Sequence, residues 1–387
     1  MAAGCIGIDA SRAISAAPTG TEGYSYHLIQ ALLPYLTPRH TVRLYFREPP
    51  PLGAFPHAEL CSIPFPRLWT HLRLSAELWQ HPPDLLFVPA HVLPPVRPAR
   101  TLVTVHDLGY RAFPQAHTAR QRLYLELSTR WNVRVATHIL ADSQATREAL
   151  VEAYHVPLEK ITVVYPGYDQ QLQPERDPAV VAGVRARYEI PGPYILSLGS
   201  IQPRKNLTRL VAAFAQLAPR YPELTLVLAG PPGWLVEPLH ARVRELGLEQ
   251  RVRFPGYVGA EDKAALLSGA ELFVFPSLYE GFGFPVLEAQ ACEVPVLASN
   301  TTSLPEVAGE AALLVNPLDE TAIVRGLGRL LEDVALRQQL IARGKANLTR
   351  FSWQQAGQTV TILIERLLSE PGDGKKSIVD NNPSYPK

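Results

Sequence analysis

The chain has 387 residues and a net charge of +1, with 47% hydrophobic and 19% charged residues. This is a globular composition with room for two domains of roughly 100–200 residues each, and nothing in the charge balance calls for nucleic acid or an acidic partner. Cys5, Cys61 and Cys292 form no CxxC pair, which argues against a disulfide framework or a structural zinc site and fits a reducing compartment. The opening MAAGCIGIDA lacks a charged segment followed by a long apolar core, so no signal peptide is expected. No apolar run reaches the roughly 18 residues of a membrane span. Without a secretory signal, the sequons at Asn206, Asn300 and Asn347 read as chance matches.

Cys5–Asp9 reads as the first strand. Thr19–Gly23 reads as a flexible glycine-bearing turn before a helix over Tyr26–Leu36, a unit that places a helix N-terminus at the edge of a parallel sheet. Its plainer reading is an ordinary strand–helix turn. Val42–Phe46 is a strand, the Pro-rich 49–66 a loop, Arg67–Gln80 a helix and Asp84–Val88 a strand ending at His91. Leu102–Val105 is a strand ending at His106-Asp107, a pair that packing alone rarely requires; His91 reads first as a loop histidine bonded to backbone. The helix Ala119–Val135 carries Arg120, Arg122, Arg130 and Arg134 with Trp131. It reads first as a solvated face, with contact to an anionic membrane surface as the alternative. His138–Ala141 is a strand, Asp142-Ser143 caps a helix over Gln144–Tyr154, and Ile161–Tyr165 is a further strand.

A polar, Pro-bearing stretch over Asp169–Pro193, with a short helix at 178–188, marks the domain boundary. The strand–helix pattern then restarts, with strands over Tyr194–Leu198, Leu224–Ala229, Val252–Phe254, Leu272–Phe275 and Val294–Ala298 and helices between them. Helices at 319–332 and 333–349 and a last one from Phe351 to about Leu368 precede a tail that is disordered by composition. Two such series predict an α/β protein of two Rossmann-like domains, 1–170 and 190–350, facing each other across a cleft.

The polar equipment concentrates in the second series. LFVFPSLYEGFGFPVLE, residues 272–288, is a strand–loop–helix corner with Glu280 before the helix and Glu288 in its first turns. Such a helix start exposes unpaired N–H groups and the positive end of the dipole. Arg204 and Lys205 precede another helix and suit a diphosphate. Each feature has a plainer reading: a surface basic pair, a helix glutamate complementing the dipole, a loop glutamate in solvent. Gly281–Val286 lacks the third glycine of a dinucleotide fingerprint. There is no Walker A sequence and no Asp-x-Asp pair.

GSIQPRKNL, VTVHDL, SLPEV and above all EGFGFPVLEA resemble the family 4 retaining glycosyltransferases of the GT-B fold, in a mannosyltransferase-like branch that builds bacterial surface polysaccharides. The resemblance runs through nearly the whole chain. It implies a nucleoside-diphosphate sugar donor, with GDP-mannose as a candidate, a glycan or lipid-linked acceptor, no cofactor and no metal. It implies that Arg204 and Lys205 bind the donor diphosphate, that Glu288 holds the ribose, and that Glu280 with the backbone of Gly281, Phe282, Gly283 and Phe284 holds the sugar. His106 would contact the sugar near its reactive carbon, and Gly20–Gly23 would approach the phosphates. Tyr257 and Val258 would line the base pocket, while Ser303, Leu304 and Glu306 would lie near the nucleotide. The last helix, 351–368, would cross back to the first domain. A cytoplasmic location follows, with peripheral contact at the inner membrane surface as an option.

Three departures stand out. Ser200 stands where many members carry Arg. The 49–66 loop is not a family hallmark. Glu293 stands where Gly is common, and is expected to be tolerable only if that position is not left-handed. A phosphorylase or synthase of the same fold, and a non-catalytic sugar-nucleotide-binding protein, remain the alternatives.

Overall fold

The computed structural model describes residues 3–14, 20–90, 92–233 and 236–370, and the chain divides into two compact units. The first takes the chain to His106, Leu123–Gly167 and the segment from Ser352; the second takes Asp107–Arg122 and Tyr168–Phe351. His91 and the residues from 371 onward lie outside the described residues, as does Thr19.

In the first unit, seven parallel strands run β1 Cys5–Asp9, β2 Thr41–Phe46, β3 Glu59–Ser62, β4 Leu85–Val88, β5 Arg100–Val105, β6 His138–Ala141 and β7 Ile161–Val163. Their order is β3-β2-β1-β4-β5-β6-β7. The central strands are near-continuous apolar runs because helices cover both faces of a parallel sheet, and β4 and β6 are buried throughout. The helix Gly20–Leu36 packs Leu28, Ile29 and Leu32 into the same core as Ile6, Ile8 and Leu44. The helix Trp353–Ser369 lies against it, so close that a Cβ at Gly357 would meet the Ala31 carbonyl oxygen at 2.6 Å.

The second unit holds β8 Tyr194–Leu198, β9 Thr225–Ala229, β10 Val252–Gly256, β11 Leu272–Phe275, β12 Val296–Ser299 and β13 Ala312–Val315, in the parallel order β10-β9-β8-β11-β12-β13. The chain starts at β8, winds outward to β10, then returns to β11 on the other side of β8. The order therefore reverses between β8 and β11, and the loops leaving those two strands flank the crevice where doubly wound sheets bind ligands. Both units are Rossmann-like and the fold is GT-B, as the sequence predicts.

Several local expectations are corrected. Gly20–Gly23 is not a turn but the first turn of the helix, which starts at Gly20. Gly23 has no atom within 4 Å of where a Cβ would lie, so space does not require glycine there. The 49–66 segment is not all loop: β3 pairs with Arg43–Phe46 as an edge strand. Its pattern is largely exposed, which removes the apolar signal by which a strand is read. The Arg67–Gln80 helix is a π-turn over Thr70–Leu74 followed by an α-helix over Ser75–Gln80. The strand expected at Val294–Ala298 runs Val296–Ser299, and β13 carries no sequence expectation at all.

Glu293 overturns its expectation outright, since its φ is 58°. The strain is offset by two cations, Arg176 at 2.6 Å and Lys345 at 2.8 Å from its carboxylate oxygens. Those partners hold its carboxyl below the usual range through hydrogen bonds and charge.

Candidate active site

The loop after β8 closes in a single 3₁₀ turn, Pro203–Lys205. Asn206 then takes φ 60°, a conformation that asparagine tolerates, and the helix Leu207–Leu217 begins. The Asn206 side-chain amide donates to Pro276 O at 3.1 Å and Pro317 O at 2.7 Å, which pins this turn to the segments just after β11 and β13. A second tie runs from the Leu278 N–H to Arg204 O at 2.7 Å. Two loops that are far apart in sequence are thus locked side by side at the switch point.

Glu280 fills the space between them. Its Oε2 accepts from Arg204 Nη1 at 2.7 Å and its Oε1 from Lys205 Nζ at 2.6 Å. Arg204 also donates to Tyr279 O at 3.0 Å, and Lys205 Nζ lies 4.4 Å from the centroid of the Phe275 ring. The Glu280 side chain is 8% exposed and that of Lys205 10%. Burial pushes the Glu280 carboxyl up, but Lys205 and Arg204 outweigh it and hold it below the usual carboxylate range. Burial pulls Lys205 down to about 8, against the opposing pull of Glu280. Glu280 is therefore no loop glutamate in solvent. It separates two cations that would otherwise repel each other, and the triad keeps one net positive charge.

The glycine loop is held from beneath. Ser303, fully buried, donates its hydroxyl to Glu280 O at 3.0 Å and Phe282 O at 2.7 Å, and the Glu280 N–H donates to Thr302 Oγ1 at 3.1 Å. Gly283 adopts φ 118°, and a Cβ there would lie 2.7 Å from Leu304 Cδ2. The helix Phe284–Ala291 starts immediately after it, with Pro285 in its first positions. Phe282 is buried edge-on to Phe284 and Phe351, so this loop presents backbone rather than that ring. Gly281 is buried, Leu304 belongs to the apolar core, and Glu306 lies half-buried in the short helix Leu304–Ala308.

Glu288 has a partner that sequence reading did not single out: Lys263, on the helix Ala260–Ser268, at 2.9 Å. Of the two residues expected at the base pocket, Tyr257 is exposed while Val258 packs into the core, so only the former has its side chain accessible.

In the first unit, His106 follows β5 directly. Val105 pairs with Ala141 on β6, so the next residues along each strand, His106 and Asp142, fall side by side. Their atoms Nδ1 and Oδ2 are 2.6 Å apart. The Tyr24 ring meets the imidazole edge-on at 4.7 Å, and Thr146 donates to His106 O at 3.0 Å. At the helix start the Ser143 hydroxyl accepts from the Thr146 N–H. Asp142 faces His106, a relationship that strand register could have signalled. Asp107, the sequence neighbour of His106, accepts from the Gly109 N–H at 2.7 Å. Gly20, exposed, and Gly23, half-buried, lie in the first turn of their helix.

The Ala119–Val135 helix fully buries only Thr129 and Asn132 and exposes Leu123, Tyr124 and Leu127. Among the described residues, no group of three or more His, Cys, Asp or Glu stands together as a metal site. No described helix is long and apolar enough to cross a membrane.

Two parallel doubly wound sheets, with a cationic cluster and a glycine loop at the switch point of the second, describe a GT-B fold with a candidate ligand site in its second unit. The family models agree: Glycosyltransferase Family 4 matches residues 19–172 and Glycosyl transferases group 1 matches residues 185–347. The chain is 36% identical over 280 residues to O-antigen chain mannosyltransferase B of Escherichia coli, covering 71% of this chain and 72% of that protein. It is 32% identical over 239 residues to serotype-specific mannosyltransferase WbdA of Escherichia coli, covering 60% of this chain but only 29% of that longer protein. The solved structure of Anabaena Alr3699/HepE in complex with UDP and glucose superposes with a TM-score of 0.70 at 22% identity, covering 94% of this chain and 99% of that one. The chain belongs to the family 4 glycosyltransferases and is a glycosyltransferase of the GT-B fold.

Proposed function

We propose that the protein transfers a hexosyl group, mannosyl by its relatives, from a nucleoside-diphosphate sugar to a growing glycan or lipid-linked acceptor in surface polysaccharide synthesis. The observation that carries this reading is the Arg204–Glu280–Lys205 triad at the β8/β11 switch point. The O-antigen mannosyltransferase relative supports the sugar and the pathway class, with GDP-mannose as the donor to test first.

In this reading the second unit carries the donor and the first the acceptor. Arg204 and Lys205 take the diphosphate, pre-aimed by Glu280, so little reorganisation is needed when the leaving charge develops. One such pre-aimed donor is worth roughly 3 kcal/mol of transition-state stabilisation in other enzymes. The rigid Gly281–Phe284 backbone and the remaining capacity of Glu280 orient the sugar, and Glu288 takes the ribose. The roles of His106, Gly20 and Gly23 rest on the family resemblance. Transfer proceeds with retention and without a metal: the bond from the anomeric carbon to the diphosphate breaks, the departing phosphate takes the acceptor hydroxyl proton on the same face, and that oxygen bonds to the carbon. The protein contributes orientation and charge stabilisation rather than proton transfer.

The test is transfer or hydrolysis from a panel of GDP-, UDP- and ADP-sugars. Activity with one donor that Lys205→Ala abolishes supports the reading; no turnover and no binding of any donor sinks it. We place the protein in the cytoplasm at the membrane face, with Leu123, Tyr124 and Leu127 beside Arg120 and Arg122 as the contact. Co-sedimentation with anionic but not neutral vesicles checks that placement.

A further inference from the structure

The Lys263–Glu288 ion pair is not accounted for by the glycine loop or by the triad. We propose that Lys263 is a positioning residue for nucleotide recognition: it holds one oxygen of the Glu288 carboxylate and thereby aims the other at the ribose diol of a bound nucleoside diphosphate. This rests on the reading of Glu288 as the ribose-binding carboxylate.

Three observations carry it. First, the geometry is direct, with Nζ and Oε1 2.9 Å apart and side chains only 29% and 16% exposed. An ammonium group that engages one carboxylate oxygen narrows the orientations open to the other. Second, the helix that carries Lys263 is itself anchored. The neighbouring Asp262 is buried and bonds Arg187 and, at 2.8 Å, the Tyr188 hydroxyl. The ammonium group therefore projects from a fixed platform. Third, burial lowers the Lys263 pKa, but Glu288 first, then Asp169 and Tyr257, outweigh it and raise the pKa above the ordinary lysine range. Lys263 stays charged at neutral pH.

A glutamate alone on the first turns of a helix could swing between rotamers and would enter the complex at an entropic cost. Clamped by Lys263, it presents one oxygen in a fixed direction. Two vicinal hydroxyls can share that oxygen, and each deoxy form keeps only one of the two contacts.

The experiment is titration calorimetry of the full chain with GDP, UDP and ADP, and with the 2′-deoxy and 3′-deoxy forms of whichever binds. Lys263→Met is expected to weaken the ribonucleotide by about tenfold, a single well-aimed charged hydrogen bond, and the deoxy forms by about twofold or less. Lys263→Arg keeps the charge but shifts its donors. It is expected to show a smaller loss of the same ribose-dependent kind, and it carries the test if the methionine variant does not fold. Equal losses for ribo- and deoxynucleotides would make the pair a tie between two helices and overturn the proposal. Tight binding by the native chain that neither variant changes overturns it too, leaving the transferase reading intact. Failure of the native chain to bind any nucleotide removes both.

Discussion

Lys205 Nζ lies 2.6 Å from Glu280 Oε1, in a site where the lysine side chain is 10% exposed and the glutamate 8%. They are 75 residues apart in sequence, in the loops that leave two neighbouring strands of one sheet. Arg204 completes the arrangement on the second carboxylate oxygen at 2.7 Å. The carboxylate is the common element: remove it and two cations lose the counter-charge they share.

Glu280→Ala should therefore cost more stability than an ordinary loop substitution. Breaking one partner out of a buried ion pair costs about 3–5 kcal/mol. Chemical denaturation of this variant should show a loss of that size together with near-complete loss of transfer. A midpoint close to that of the native protein would show that the triad is not buried as described.

The depressed pKa of Lys205 makes activity and stability move in opposite directions with pH. With Lys205 on the diphosphate as proposed, transfer uses the ammonium form and should fall as pH rises through about 8. Stability should do the reverse. Between about 8 and the ordinary lysine value of 10.5, the unfolded chain holds a proton that the native state has released, so the lysine's contribution to stability rises with pH. Lys205→Arg, which does not titrate in this range, should remove both effects. pH–rate profiles and pH-dependent unfolding of the two proteins check this.

Gly283→Ala should destabilise through two mechanisms at once. A φ of 118° is strained for any L side chain, and the added methyl carbon would lie 2.7 Å from Leu304 Cδ2. The combined cost is about 2–4 kcal/mol. Gly23→Ala, with open space around its Cβ, should cost under about 1 kcal/mol or stabilise its helix. Thermal melts of the pair discriminate the two glycines.

Asp142→Ala should lower turnover without a matching rise in donor KM, because it releases the ring nitrogen that sets the tautomer of His106 rather than a contact to the nucleotide. A loss of about tenfold is expected, with Asp142→Asn recovering part of it. Steady-state kinetics of both variants, read as separate kcat and KM, check this.

The repeating strands were legible because a doubly covered parallel sheet requires continuous apolar runs, and Leu272–Phe275 and His138–Ala141 match their expected bounds residue for residue. The edge strand Glu59–Ser62 and the π-turn at Thr70–Leu74 were not. An exposed edge strand carries no apolar pattern, and a π-turn differs from an α-turn in hydrogen-bond register rather than in composition. Glu293 shows the same limit from the other side: its left-handed backbone is offset by Arg176 and Lys345, both distant in sequence.

By itself, the sequence determined the two Rossmann-like series, the glycine corner that opens the Phe284–Ala291 helix, and the residue types from which a transferase site can be built. Those features depend on local preferences and short spacings. Only the tertiary structure decided how the charges are partnered. Glu280 with Arg204 and Lys205, Glu288 with Lys263, and His106 with Asp142 are matches between separate strand ends and helices. Strand order and register set them, and an ion pair leaves no periodicity in the chain that forms it.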